Sequence, residues 1–342
     1  MEFLIVLAAL CFLMFVAYRG YSVILFAPIA ALGAVLLTDP SLVAPMFTGL
    51  FMDKMVGFLK LYFPVFLLGA IFGKVIELSG FSKAIVAATI RLFGASRAIL
   101  SIVMVCAVLT YGGVSLFVVV FAVYPFAAEL FRQSDIPKRL IPGTIALGAF
   151  TFTMDALPGT PQIQNIIPTT FFGTNTWAAP WLGTIGGVFI LAVGLAYLDW
   201  RRRVALKAGE GYAGDAALVN EPVAFTGGRL ANPLVTVAIT VTALAGITGS
   251  ASGGMGIALA AMAETFIANA NAAGIPMEVL HRVAAMASGG MDTLPHNGAV
   301  ITLLAVTGLT HRQAYKDIFA ITIVKTLAVF VVIGVFYATG VV

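Results

Sequence analysis

The sequence predicts an all-α integral membrane protein, on three observations. Hydrophobic residues make up 61% of the 342 residues and charged ones only 10%, with a mean hydropathy of +1.04, and a soluble globule of this size needs more polar surface than that. Apolar runs of membrane-crossing length recur along the chain. They do not alternate as barrel strands do, and in lipid only helices and closed barrels satisfy their own backbone.

The elements follow in order. Leu4–Tyr18 is read as a retained first helix, because Glu2 stands where a secretory signal would be basic and no small-residue cleavage pattern follows. Ser22–Thr38 and Phe58–Ile76 are the next two spans. Arg97 on one side and Arg132, Lys138 and Arg139 on the other bracket the apolar block Ala98–Phe131. Basic loops favour the cytoplasm, so both ends of that block lie on one face and the chain must turn back. The turn is placed at Tyr111–Ser115, giving a re-entrant helical hairpin with its tip at Gly112 and Gly113; one long kinked helix is the alternative. Leu140–Phe172 is a span interrupted at Asp155–Pro161, since Pro158 and Pro161 do not allow an unbroken helix. The chain turns outside near Asn175–Pro180, with Trp177 and Trp181 as interfacial anchors, and returns through Trp177–Trp200 to Arg201, Arg202 and Arg203. A last span is read at Ile318–Gly340.

This orientation puts most of the 19 Lys and Arg residues on the cytoplasmic side: Arg19, Lys83, Arg91, Arg97, Arg132, Lys138, Arg139, Arg201–Arg203, Lys207, Arg312 and Lys316. Lys54 and Arg282 fall outside. Lys60, Lys74 and Lys325 lie within spans, where a long stem near an end can reach the interface. The net charge of +4 is an orientation signal and does not suggest nucleic-acid binding. Cys11 and Cys106 sit in apolar segments, with no disulfide framework or metal spacing.

An internal repeat organises the rest. Gly112-Gly113, Ile136-Pro137 and Met154-Asp155-Ala156-Leu157-Pro158 recur as Gly253-Gly254, Ile275-Pro276 and Met291-Asp292-Thr293-Leu294-Pro295. From the first glycine to the Ile-Pro proline is 25 residues in one copy and 23 in the other, and from that proline to the aspartate 18 and 16. Asn269–Pro276 carries no Lys or Arg, whereas His311, Arg312 and Lys316 follow the second broken span, so the second copy enters from outside. Inverted hairpin-plus-broken-helix repeats are a signature of secondary transporters whose site lies near the bilayer midplane. The second copy lacks partners for the three spans that precede the first hairpin. The chain is therefore expected to lack roughly 100 residues relative to a complete repeat, at ~20 residues per span plus loops, with the joint between Asn220 and Thr242.

Half-helix ends at mid-membrane present unpaired N–H groups that hold a carboxylate without any arginine. The candidate substrate-binding residues are Gly112, Gly113 and Ser115 at the first tip, Ser250, Ser252 and Gly253 at the second, glycine-rich tip 249–254, and Thr160, Asn165, His296 and Asn297 at the breaks, with Thr248 and Gln162 as further side-chain donors beside them. Capping of helix ends is the alternative role for the side-chain donors. Asp155 and Asp292 are the candidate proton-coupling residues, since an intramembrane carboxylate is costly unless protonated, paired or functional; acceptance of half-helix amides is the alternative. Val114, Leu116 and Met255 are read as apolar lining that favours a short, greasy acid. No cofactor or metal is expected.

MDALPGTPQIQNIIP (Met154–Pro168), GITGSASGGM (Gly246–Met255) and SGGMDTLPHNGAVITLLAVTGLTHRQAYKDI (Ser288–Ile318) resemble the gluconate:proton symporter family of bacterial permeases, the last stretch most closely members labelled D-beta-hydroxybutyrate permease. The resemblance implies uptake of a small hydroxycarboxylate, of the 3-hydroxybutyrate or gluconate class, with protons across the bacterial inner membrane by a multi-pass homodimer. Its partners would be a small organic anion, protons and the lipid bilayer. Through the wider ion transporter superfamily it implies an elevator in which a scaffold holds a moving domain. Carried onto this chain, 1–96 are N-terminal scaffold helices, 97–172 the first half of the transport domain, 173–203 a scaffold helix, 204–241 a cytoplasmic loop with the joint, 242–310 the second half, and 311–342 the C-terminal helix. A sodium-coupled carboxylate transporter stays open as an alternative, although the Ser-Asn-Thr signatures of such relatives are missing. An intramembrane aspartyl protease also uses two embedded aspartates, but Gly289-Gly290-Met291-Asp292 departs from the Gly-x-Gly-Asp pattern. A passive channel is disfavoured because the breaks are tied to hairpins.

Overall fold

The computed structural model describes residues 5, 8–9, 11–12, 15–16, 23–78, 97–212 and 232–342, and every regular element in them is helical. Most of the expected first helix Leu4–Tyr18 lies outside these residues, as do Arg19, Lys83, Arg91, Arg229 and the greater part of the expected joint.

Helix α1, Val23–Thr38, ends where Asp39 accepts a hydrogen bond from the amide of Ser41 and Pro40 withholds a donor. Short helical turns lead into α2, Met52–Leu78. The apolar block that follows forms two helices, α3 (Ala98–Tyr111) and α4 (Leu116–Gln133). The turn between them uses Gly113 at φ +90°, a conformation that suits glycine.

The interrupted span is α5 (Ile141–Ala149), the single turn α6 (Phe152–Asp155) and α7 (Ile163–Phe172). No helix crosses 156–162, the stretch with Pro158 and Pro161. Helix α8 runs from Pro180 to Lys207, past the three arginines; the charges end the apolar run but not the helix, since arginine is a good helix former.

A second helical hairpin consists of α9 (Pro233–Thr248) and α10 (Ala251–Ala272), so residue 242 lies within a helix. Its apex falls within the glycine-rich stretch 249–254 read as the second tip. The chain reverses at Gly249, φ +60°, and Ser250, while Gly253 and Gly254 lie in the first turn of α10. Gly254 serves close approach instead: a Cβ built there would fall 2.2 Å from the backbone nitrogen of Ala245, the role small residues take at membrane helix contacts.

The second interrupted span is α11 (Met277–Ser288), a turn over 289–297, and α12 (Gly298–Thr307). Helix α13, His311–Thr339, begins seven residues before the expected Ile318. Among the described residues, Pro180–Lys207, Ala251–Ala272 and His311–Thr339 are long and apolar enough to cross a membrane.

Packing relates the two halves. Helix α3 packs on α5 and, equivalently, α9 on α11; α4 packs on α12 and, reciprocally, α10 on α7. Helices α8 and α13 pack together and against α5 and α11, while α2 meets the rest at α4. At the end bearing the arginines, buried Asp317 accepts from Arg201 Nε (2.7 Å), Tyr197 Oη (3.0 Å) and Arg139 Nη1 (3.5 Å), and Arg139 also pairs with Glu210 at 2.6 Å. That network ties α13 to α8 and to the start of α5.

Candidate functional site

The two aspartates come together. Asp155 is the last residue of α6 and Asp292 lies in the turn after α11; they are 1% and 5% exposed, and Asp155 lies within electrostatic reach of Asp292. Between the breaks stands Lys325 of α13. Its Nζ donates to Asp292 Oδ1 at 2.5 Å and to the carbonyl of Phe150, in the first break, at 3.0 Å. Asp155 feels the charges of Lys325, Asp292 and Arg282. Its Oδ2 is buried without a hydrogen-bond partner among the described residues. That oxygen lies against Gly289: a Cβ built there would come within 1.8 Å of it.

Lys325 corrects the reading that its stem reaches the interface. It is 2% exposed and occupies the midpoint of a 29-residue helix, so roughly 20 Å of helix separates it from either end at 1.5 Å per residue. No lysine stem covers that distance.

Arg282, expected on the outer side, is also corrected: it is fully buried. Its guanidinium donates to Ala178 O (Nε 3.1 Å, Nη2 2.7 Å), Thr176 O (3.3 Å), Asp155 O (3.4 Å) and Asn165 Oδ1 (2.9 Å). Asn165 in turn donates to Thr160 O and Thr176 O, both at 2.9 Å. His281 Nε2 meets Asn165 Oδ1 at 3.1 Å, and its Nδ1 meets the hydroxyl of Thr174 at 2.6 Å. Because Asn165 Oδ1 can only accept, Nε2 is assigned the proton and Nδ1 accepts from Thr174. Thr160 Oγ1 closes the break by donating to Thr153 O at 2.8 Å. Asn165 and Thr160 therefore hold the shape of the first break.

Each hairpin tip is fastened to the break of its own half. At the first, Gln162, which precedes α7, donates to Thr110 O (2.8 Å) and Val114 O (3.3 Å), and Tyr111 Oη donates to Pro158 O at 2.9 Å. At the second, Asn297 caps α12 by accepting from the amides of Ala299 and Val300 and donates Nδ2 to Gly249 O at 2.6 Å. The ring of His296 packs on Gly249. Ser250 caps α10 through the amide of Gly253 at 3.1 Å.

Ser115 and Ser252 make no side-chain hydrogen bond among the described residues, Gly112 is exposed, and Gly253 belongs to α10. Val114 and Met255, expected to line the site, are packed in the hydrophobic core, and Leu116 packs against it, which removes their bearing on the size of the acid. Helix α13 clamps the second break further: Tyr315 Oη donates to Thr293 O (3.2 Å), Thr326 Oγ1 to Gly290 O (2.9 Å), and the hydroxyls of Thr293 and Thr322 meet. A cavity of about 270 Å³ at the arginine-bearing end is lined by Arg97, Ile136, Asp199 and Arg202 among others, and by none of the candidate residues.

Lys325 and Arg282 are the site residues that sequence reasoning missed, whereas Gln162 stood among the side-chain donors expected at the breaks. For Lys325 the signal was available: an ionisable residue inside an apolar helix marks function by default and calls for a named partner. For Arg282 no local signal exists, because its acceptors lie more than 100 residues away along the chain.

No protein-family profile matches the chain, and no solved structure does. The chain is 49% identical to a Bacillus subtilis (strain 168) protein named "uncharacterized transporter YxjC", over 472 residues that cover 100% of each chain.

Proposed function

Because the chain belongs to the family of the Bacillus subtilis transporter YxjC, we propose that it is a proton-coupled symporter importing a small hydroxycarboxylate, of the 3-hydroxybutyrate or gluconate class, across the bacterial inner membrane. It is a multi-pass transporter of that membrane and not an enzyme. The observation that carries the proposal is the meeting of Asp155 and Asp292, one from each break, around Lys325 in the protein interior. Ionisable groups placed there are costly and mark ion pathways and proton relays.

Further observations support the reading. The reciprocal packing of α4 on α12 and of α10 on α7 agrees with two internal repeats related by a pseudo-two-fold axis, the inverted arrangement among them. The substrate class rests on the likeness to gluconate:proton symporters described above. On the elevator reading, α8 is the scaffold helix expected at 173–203, whereas α13 travels with the moving body, because Lys325 and Tyr315 bind it to the breaks. Helices α1 and α2 then belong to the scaffold of each protomer in a homodimer.

The test is uptake of labelled 3-hydroxybutyrate and gluconate into proteoliposomes under an imposed pH gradient. Accumulation of one of them, abolished in Asp292→Asn while some counterflow exchange persists, is the expected result. Accumulation driven by a sodium gradient alone would replace protons with sodium, and normal accumulation by Asp292→Asn would remove that residue from coupling.

A further inference from the structure

Among the described residues, five ionisable side chains are buried where the breaks meet: Asp155, Asp292, Arg282, Lys325 and, bonded to Asn165 and Thr174, His281. Arg282 is committed to the carbonyls of Ala178 and Thr176 and to Asn165, so its charge is locked into the framework. Lys325 is held differently. An ammonium has three donor hydrogens, and among the described residues its nitrogen meets only Asp292 Oδ1 and Phe150 O. It is the centre's exchangeable cation, paired with one carboxylate and within electrostatic reach of a second.

Resting on the symport reading above, we propose that Lys325 holds the carboxylate of the transported acid, and that the acid couples to protons by displacing Asp292 from that ammonium. Removing a charge from water costs several kcal/mol per ion unless a partner offsets it. One ammonium offsets one carboxylate. When the acid's carboxylate takes the bond to Lys325 Nζ, the bond from Nζ to Asp292 Oδ1 breaks, and Asp292 takes a proton from the aqueous side to form an O–H. Release reverses each step, so anion and proton cross as a neutral pair.

The surroundings favour Asp292 over Asp155 as the proton carrier, because Asp292 alone is bonded to Lys325. The other titratable or charged groups near this turn are Asp155 from α6, Arg282 from α11, His296 within the turn, and Tyr315 and His311 from α13, whose polar atoms meet the carbonyls of Thr293 and Pro295. From α9 comes only the hydroxyl of Thr242, on Ala287 O.

The experiment uses the purified full chain in detergent with weak buffer and a pH dye. The protons taken up per molecule of 3-hydroxybutyrate or gluconate bound, and the Kd between pH 6 and 8, are read together. The wild type should take up one proton per anion, with Kd rising about tenfold per pH unit, as proton-linked binding requires. Asp292→Asn should bind without proton uptake and with a Kd flat in pH. Lys325→Gln should lose about tenfold or more in affinity at every pH, with partial recovery in Lys325→Arg, and Asp155→Asn should keep its proton. Proton uptake by Asp292→Asn, its loss in Asp155→Asn, or wild-type affinity in Lys325→Gln overturns this inference and leaves symport standing. A wild type that binds neither acid, or binds one without a proton, overturns the symport reading and this inference with it.

Discussion

Asn165 makes four hydrogen bonds, to Thr160, Thr176, His281 and Arg282, which is the full capacity of a buried amide. Replacing it with alanine strands His281 Nε2 and the carbonyl of Thr160, while Thr176 O keeps Gly159 N and Arg282 Nη2 and Arg282 Nη1 keeps Asp155 O, and each buried unsatisfied group costs ~1–3 kcal/mol. Asn165→Ala should therefore lower stability by roughly 3 kcal/mol or more, seen as a large fall in Tm in detergent. The fraction that remains folded should bind 3-hydroxybutyrate or gluconate with unchanged Kd; a change there would return Asn165 to direct contact with the acid. At this scale the aspartates were legible, because a carboxylate beside a proline in an apolar run has few bland explanations. Lys325 was not, since the apolar run begins at Ile318 and made the lysine look near an end, whereas the helix begins at His311. Arg282 was hidden for another reason: the sequence records its charge but not the carbonyls of Thr176 and Ala178 that fold over it.

Glycines separate the elements that touch from those that merely turn. Gly289 has no room for a side chain, because Asp155 Oδ2 occupies the position, whereas Gly298, at the start of α12, has nothing within 4 Å. Gly289→Ala should push the two breaks apart and reduce uptake at least about tenfold while the protein still expresses. Gly298→Ala should leave uptake intact and add up to about 1 kcal/mol through helix propensity. Equal uptake by the two variants would show that the contact between the breaks does not matter. The first hairpin was readable because basic residues bracket it, a long-range pattern that composition preserves. The second tip was readable as the glycine-rich stretch 249–254, but which of its three glycines makes the turn was not. Only the fold tells the positive φ of Gly249 from the helix contact of Gly254.

For the whole molecule, opposite orientation of the two hairpins is the proposal with the widest reach. Gln133, at the end of α4, and Asn271, near the end of α10, are both exposed. In a background with Cys11 replaced by alanine, a cysteine at 133 should react with a membrane-impermeant maleimide only from inside, and one at 271 only from outside. Labelling of both from one side would refute the inversion. The arrangement of α4 on α12 and α10 on α7 has a mechanical corollary for leakage. If the hairpins gate transport as proposed, each leans on a rod that belongs to the other half, so a displacement of one would drag the other along with it. Two such gears would turn only together, and opening to both faces at once would have to strip them.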